Sequence, residues 1–236
     1  MKSIDAVGFD LGETLIIYAG LPLSWEALYN DALTELAQEC GCDPTEDELA
    51  RACDVLAKFN TRLNPRDVEV NSETVVSEIL KAWGMDDYAD MESAKDALYG
   101  FFQETYAVYD DTRPALKRMQ ALNLKIGVLT DVPYGMDRRF VDRDVSAFVK
   151  SIDIVLTSTE VGFRKPNPAG FLSMARALGV DPARMAFVGN ESKDMEGANL
   201  AGMVSILLDR ERQGSEFGQR ITIATLDDLD GALAGL

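Results

Sequence analysis

Apolar positions along the chain fall into two regimes. Near the start, Ala6-Val7-Gly8-Phe9 is a short apolar run that stops at Asp10, and a turn containing Gly12 follows before any helical spacing. Runs of this length bounded by turn residues predict buried parallel strands. From Ser24 the period changes. Trp25, Leu28, Tyr29, Leu33 and Leu36 recur at helical intervals behind a Ser N-cap, and Gly41 ends the run. Thr45-Glu46-Asp47-Glu48 has the form of a capping box for a second helix, with Leu49, Ala52, Cys53, Leu56 and Phe59 on one face. Asn71 or Ser72 opens a third carrying Val75, Val76, Ile79, Leu80 and Trp83, and a fourth carries Ala94, Leu98, Phe101 and Phe102. Residues 17–109 thus read as helical, with no convincing strand, and their apolar stripes read mainly as core packing.

Beyond Thr112-Arg113-Pro114 the pattern alternates. A helix with Leu116, Met119 and Leu122 leads into an apolar strand at 124–130, and further strands are predicted at 152–156, 185–188, 204–208 and 221–223. Helices fall between them, one capped by Asn167-Pro168 and one over 194–201, and a short helix ends the chain. Such alternation predicts an α/β fold with a doubly wound parallel sheet. Because the first strand belongs to that sheet, the helical block is an insertion after it. The expected division is a core of residues 1–16 and 110–236 and an all-helical cap of residues 17–109.

Charge narrows the partners. Acidic residues outnumber basic ones 40 to 23, a formal net charge of −17 over 236 residues. Such a surface repels phosphate backbones, so no nucleic-acid partner is expected, and an anionic substrate must be drawn in by local cations or a metal. The chain has no histidine, which removes Ser-His-Asp and Cys-His catalysis, His-ligated zinc and imidazole acid–base chemistry. Cys40, Cys42 and Cys53 match no zinc or redox spacing and read as incidental thiols. There is no membrane-spanning pattern, and Met1-Lys2-Ser3-Ile4-Asp5 carries an acid where a signal peptide needs its apolar stretch. A cytoplasmic protein without a membrane partner is expected, as monomer or homodimer.

Four strand ends carry polar groups. Asp10 closes the first, Thr130-Asp131 the second, Gly162-Phe163-Arg164-Lys165-Pro166-Asn167-Pro168 follows the third, and Gly189-Asn190-Glu191-Ser192-Lys193-Asp194 closes the fourth. Each has a bland reading alone, as a turn residue, a solvated lysine or an acidic first turn of a helix. In a parallel sheet these ends share one edge, where ligands bind. Together they form a workable set. A carboxylate acts as nucleophile, a hydroxyl and a lysine hold a phosphoryl group, and further oxygens hold Mg²⁺.

The chain resembles the haloacid dehalogenase-like hydrolases over nearly its whole length. Phe9-Asp10-Leu11-Gly12-Glu13-Thr14-Leu15 is similar to the family's first motif, Asp-x-Asp-Gly-Thr, and Val128-Leu129-Thr130-Asp131 to the second. Lys165-Pro166-Asn167-Pro168 is similar to the third, and Gly189-Asn190 through Asp194 with the following helix to the fourth. The helical insertion resembles a type 1 cap. The resemblance implies Asp10 as nucleophile and Mg²⁺ ligand, Thr130 on the phosphoryl oxygens, and Lys165 beside both. It implies Asp194, Asn190 and the Gly12 carbonyl as the rest of the metal site, and a small phosphorylated substrate.

Two positions depart from the pattern. Gly12 stands where the family's phosphatases carry the acid–base Asp, with Glu13 in the Gly position, and Asn190 replaces a carboxylate. Three readings follow: a phosphatase whose leaving group needs little protonation or that uses Glu13 or a cap residue; a 2-haloacid dehalogenase or phosphonate hydrolase; or a weakly active relative that binds a ligand or partner. Asp194 favours the first, since a dehalogenase needs no metal ligands. Tyr18, Trp25 and Tyr29 are candidate cap contacts, and Pro133-Tyr134-Gly135-Met136 is a turn that borders the pocket in this reading. Cap movement is expected about hinges near Gly20 and residues 110–112.

Overall fold

The computed structural model describes residues 4–22, 24–103 and 106–236. Met1-Lys2-Ser3, part of the signal-peptide reading, lies outside them. In chain order the elements are β1 (Ala6–Phe9), β2 (Ile16–Ile17), α1 (Tyr29–Glu39), α2 (Glu46–Phe59), α3 (Ser72–Ala82), α4 (Met91–Phe101), β3 (Ala107–Val108), α5 (Thr112–Ala121) and β4 (Lys125–Thr130). They continue with α6 (Arg138–Val145), β5 (Ile154–Thr157), α7 (Ser158–Val161), α8 (Ala169–Leu178), β6 (Met185–Gly189), α9 (Ser192–Leu200), β7 (Val204–Leu208), β8 (Ile221–Ile223) and α10 (Leu229–Ala234).

Six strands form one sheet in the order β5-β4-β1-β6-β7-β8, every pair parallel. Alternate strand residues face opposite layers. Ala6, Leu129, Met185 and Phe187 pack with Phe171 and Met174 of α8 and Ala198 of α9. Val7, Phe9, Ile126, Val128 and Val188 pack with Leu116 and Met119 of α5 and Leu229 of α10. Coverage on both faces explains why β1 and β6 are wholly buried and why they read as continuous apolar runs.

Helices α1 to α4 lie between β2 and β3 in the chain. The α2 capping box forms as its sequence predicts: Thr45 Oγ1 accepts from the Glu48 amide at 3.3 Å, and the Thr45 amide donates to Glu48 Oε2 at 2.8 Å. Asn71, rather than Ser72, caps α3, its Oδ1 accepting from the Thr74 amide at 2.8 Å. Two expectations need correction. The first helix is divided: Trp25–Leu28 is a 3₁₀ turn and the α-helix starts at Tyr29. Trp25 stacks on Phe102 at 3.7 Å between ring centroids, and the Ser24 hydroxyl accepts from Asn60 at 3.0 Å instead of capping. The second correction concerns strand content. Ile16↔Val108 and Ile17↔Ala107 pair as an antiparallel ribbon where the chain leaves and re-enters the sheet region; two-residue strands are too short to show a period.

A second seam joins the insertion to the sheet region. The Arg164 amide donates to Asp67 O at 2.8 Å and the Glu69 amide to Gly162 O at 3.0 Å, around a bridge between Val68 and Phe163. Beneath it the buried Arg164 guanidinium pairs with the buried Glu69 carboxylate, and Ser158 Oγ donates to the same carboxylate at 2.6 Å.

Candidate active site

Strand register brings the motifs together. Phe9 lies opposite Val128 on one side and Val188 on the other, so the residues just beyond β1, β4 and β6 share one edge at the point where strand order reverses. The Asp10 amide donates to Val188 O at 2.9 Å, which fixes the backbone that carries its carboxylate. The loop after α7 supplies Lys165. Its backbone amide donates to Asp131 Oδ1 at 3.1 Å, tying that loop to the end of β4.

Lys165 is the centre of the cluster. Its Nζ donates to Asp10 Oδ1 at 2.5 Å and to Asp194 Oδ1 at 2.6 Å. All three residues are buried. Asp194 Oδ2 accepts from the Glu191 amide at 3.0 Å at the start of α9. Gly189 makes room for this: a Cβ there would lie 2.5 Å from Asp194 Cγ, closer than atoms pack. Asn190 is held from the first motif, its Oδ1 accepting from Thr14 Oγ1 at 3.4 Å.

Two buried carboxylates share one ammonium, and the titration behaviour follows. Burial raises the Asp10 carboxyl to about 6, with Asp194 adding to the rise and Lys165 opposing it. Lys165 goes the other way: burial disfavours its charge, yet Asp10, Asp194 and Asp131 together hold it above the usual lysine range. Asp131 is also buried, but Lys165, Arg164 and Lys193 more than offset that and keep it below the usual carboxylate range.

Asp10, Gly12, Thr130 and Asn190 open onto one cavity of about 180 Å³. Lys165 and Asp194 stand behind Asp10. Tyr18, Trp25, Phe102, Met136 and Val141 make an apolar wall on the other side. Pro133 borders it as the turn reading expects. Tyr29 is not part of the wall; its hydroxyl is within 2.8 Å of the Tyr134 hydroxyl and accepts from Asn60 at 2.8 Å.

Beside Gly12 there is no ionisable side chain from the first motif. A Cβ on Gly12 would meet Tyr18 Cε2 at 3.9 Å, ordinary contact. Tyr18 does not direct its hydroxyl to Asp10: it donates to Asp144 Oδ2 at 2.5 Å, and Asp144 is fully buried. Burial and the Asp144 carboxylate both raise the Tyr18 phenol above its ordinary range. Glu13 lines the same cavity, and its Oε2 accepts from the Tyr109 hydroxyl at 3.0 Å, with φ at +56°.

Among the described residues, no group of three or more His, Cys, Asp or Glu side chains is arranged to hold a metal ion. The donor set still suits Mg²⁺, which uses one or two carboxylates and fills the rest of its shell with neutral oxygens and water. Asp10 and Asp194 are two such carboxylates, carrying more negative charge than Lys165 alone neutralises, and Asn190 and the Gly12 carbonyl are neutral oxygens of the right kind.

Residues 4–202 match the haloacid dehalogenase-like hydrolase family. The chain belongs to it. This hydrolase is 29% identical over 210 residues to the glyceraldehyde 3-phosphate phosphatase of Methanopyrus kandleri, covering 88% of this chain and 84% of that one. In structure it is similar to a 2-haloacid dehalogenase from Pseudomonas syringae pv. Tomato DC3000, with a TM-score of 0.70, 23% identity and coverage of 98% and 99%. It is also similar to a haloacid dehalogenase-like phosphatase from Thermococcus onnurineus, with a TM-score of 0.67, 21% identity and the same coverage. At those identities the structural likeness speaks for the fold alone, and it includes both chemistries.

The motif strings contain Thr14, Asp131 and Arg164 without a part for any of them. In this hydrolase Thr14 braces Asn190, Asp131 holds the Lys165 backbone, and Arg164 joins the Lys165 loop to the insertion. For Asp131 the available signal was a polar residue directly beside a strand end. Glu69, the partner of Arg164, had none.

Proposed function

We propose that this hydrolase is a Mg²⁺-dependent phosphatase of small phosphorylated metabolites, working through an aspartyl-phosphate on Asp10. The observation that carries the reading is Lys165 bridging Asp10 and Asp194 at 2.5 and 2.6 Å behind the cavity. A nucleophile that must approach an anion needs cationic charge beside it, of which Lys165 supplies one unit. The M. kandleri relative, named as a phosphatase, supports the same reading.

In this mechanism Asp10 attacks phosphorus in line, and the bond from phosphorus to the ester oxygen breaks as the new bond forms. Thr130 holds the phosphoryl oxygens, and the Lys165 ammonium offsets their charge. Water then hydrolyses the acyl-phosphate, freeing Asp10 and inorganic phosphate. Asp10, the Gly12 carbonyl, Asn190 and Asp194 would hold Mg²⁺, which when bound supplies charge neutralisation for the phosphoryl group and nucleophile. With Gly12 contributing no acid, the departing oxygen leaves unprotonated from that side, so the enzyme suits leaving groups of low pKa. Residues 17–109 act as the cap, setting which esters reach Asp10.

A panel of phosphate esters, an acyl phosphate and a 2-haloacid, each with and without Mg²⁺, tests the reading. Phosphate release that needs Mg²⁺ and disappears in Asp10→Asn is expected. Halide release without phosphate release, or turnover surviving in Asp10→Asn, would overturn it.

A further inference from the structure

A second chamber of about 310 Å³ opens beside the cavity and shares Trp25, Arg62, Asp131 and Lys193 with it. Its wall is unusual for a chain with a net charge of −17. Arg62, Arg66, Arg164, Lys165 and Lys193 all line it, against one carboxylate, Asp131. Lys165 gives its ammonium to Asp10 and Asp194, at 2.5 and 2.6 Å, which leaves four cations to the chamber; apart from Asp131, the carboxylates that pair with these four stand outside it. Glu191 serves both Arg62, at 2.5 Å, and Lys193, at 2.7 Å. Glu69 serves both Arg66, at 2.9 Å, and Arg164. The four cations thus share three carboxylates, the third being Asp131, 3.5 Å from Lys193 and 3.8 Å from Arg164.

A second observation concerns the same wall. Arg66 Nε is buried and has no hydrogen-bond partner among the described residues. A buried donor left unmade costs roughly 1–3 kcal/mol, a cost that an acceptor brought within its reach would remove. Neutral occupants offer little here, whereas an anion meets guanidinium forks suited to carboxylate or phosphate.

We propose that this chamber binds a second anionic group of the substrate, a carboxylate or phosphate, while the phosphoryl group to be transferred sits at Asp10. The proposal rests on the phosphatase reading and narrows it to esters with a terminal anion. Arg62, from the insertion, and Lys193, from α9, both line the chamber and share Glu191. The second anion would take these two cations over from Glu191, which pairs with them from outside the chamber.

Calorimetric binding of non-hydrolysable methylene phosphonates to the full chain in Mg²⁺ buffer tests this. The phosphonates have equal length and end in hydroxyl, carboxylate or a second phosphonate. The expected result is binding about tenfold or more tighter for one or both charged ends than for the hydroxyl, as one charge-assisted contact gives. The preference should fall towards unity in Arg62→Gln, a half-exposed position, and invert in Arg62→Glu. Which charged end binds better identifies the anion. Equal affinity across the three ends, or a preference unchanged in both variants, overturns the proposal. Phosphate release from matching esters is read separately: turnover with no end-group preference refutes only the second-anion site, and absent turnover with a clear preference refutes only the phosphatase.

Discussion

On one side of Asp10, Lys165 Nζ sits 2.5 Å away and Asp194 lies on the same ammonium. On the other, two residues along the chain, Gly12 offers a bare Cα to the ring of Tyr18. The first side is over-determined: Asp131 fixes the Lys165 backbone, Thr14 braces Asn190, and the lack of a Cβ on Gly189 admits Asp194. The second side is vacated. Tyr18 is tied to Asp144 and Glu13 to Tyr109, so both ionisable side chains, though they line the cavity, have a hydrogen-bond partner other than Asp10. The contrast separates two demands of phosphoryl transfer. In the proposed phosphatase, the first side would supply the charge stabilisation at phosphorus, and Gly12 would supply no proton to the leaving group.

The largest effect should come from breaking the retained side. Lys165→Met leaves Asp10 and Asp194 facing each other in a buried site without their shared cation. Removing one member of a buried ion pair costs about 3–5 kcal/mol, read by urea unfolding in metal-free buffer. Phosphate release at saturating substrate should fall by about 10²–10³-fold, as with loss of one preorganised electrostatic group. A loss below about threefold would mean that Lys165 is structural only.

The vacated side should respond in the opposite direction. Gly12→Asp adds a carboxyl at a position where a Cβ meets only Tyr18, at ordinary contact distance. Positioned proton transfer is worth about 10²–10⁴-fold, so alkyl phosphates should gain about 10²-fold while aryl phosphates change little. The measurement is the slope of log kcat against leaving-group pKa, steep in the parent and shallow in Gly12→Asp. A parent slope that is already shallow would place an acid on this side that the geometry does not reveal.

The retained side was also the legible one. Asp10, Thr130, Lys165 and Asn190-to-Asp194 each follow an apolar strand, and parallel pairing through β1 gathers such ends without any long-range guess. The sheet, the insertion and the α2 cap were legible for the same reason, since period and capping are local. What was not legible depends on how the insertion docks. Tyr18 meets Asp144 and Glu69 meets Arg164 across separations of 126 and 95 residues, and nothing in the local sequence of either partner specifies the other. The β2–β3 ribbon was missed because a strand of two residues has no period to read.

The smallest predicted effect decides whether Glu13 belongs to the vacated side or merely borders it. Its φ of +56° lies in the left-handed region, which costs an L-residue roughly 1–2 kcal/mol and glycine nothing. Against this stands one half-buried hydrogen bond from Tyr109 at 3.0 Å, worth about 0.5–1.5 kcal/mol. Glycine also brings a more flexible unfolded chain, a penalty of about 0.4–1 kcal/mol. The terms nearly cancel, so Glu13→Gly should change the unfolding free energy by less than about 1 kcal/mol. Glu13→Ala keeps the strain and loses the bond, so it should be destabilised by about 1 kcal/mol. The rates then settle the function. If Glu13 only ties the turn to Tyr109, both variants should keep the parent's leaving-group slope. A slope that steepens in Glu13→Ala and Glu13→Gly alike would make Glu13 the acid that Gly12 lacks.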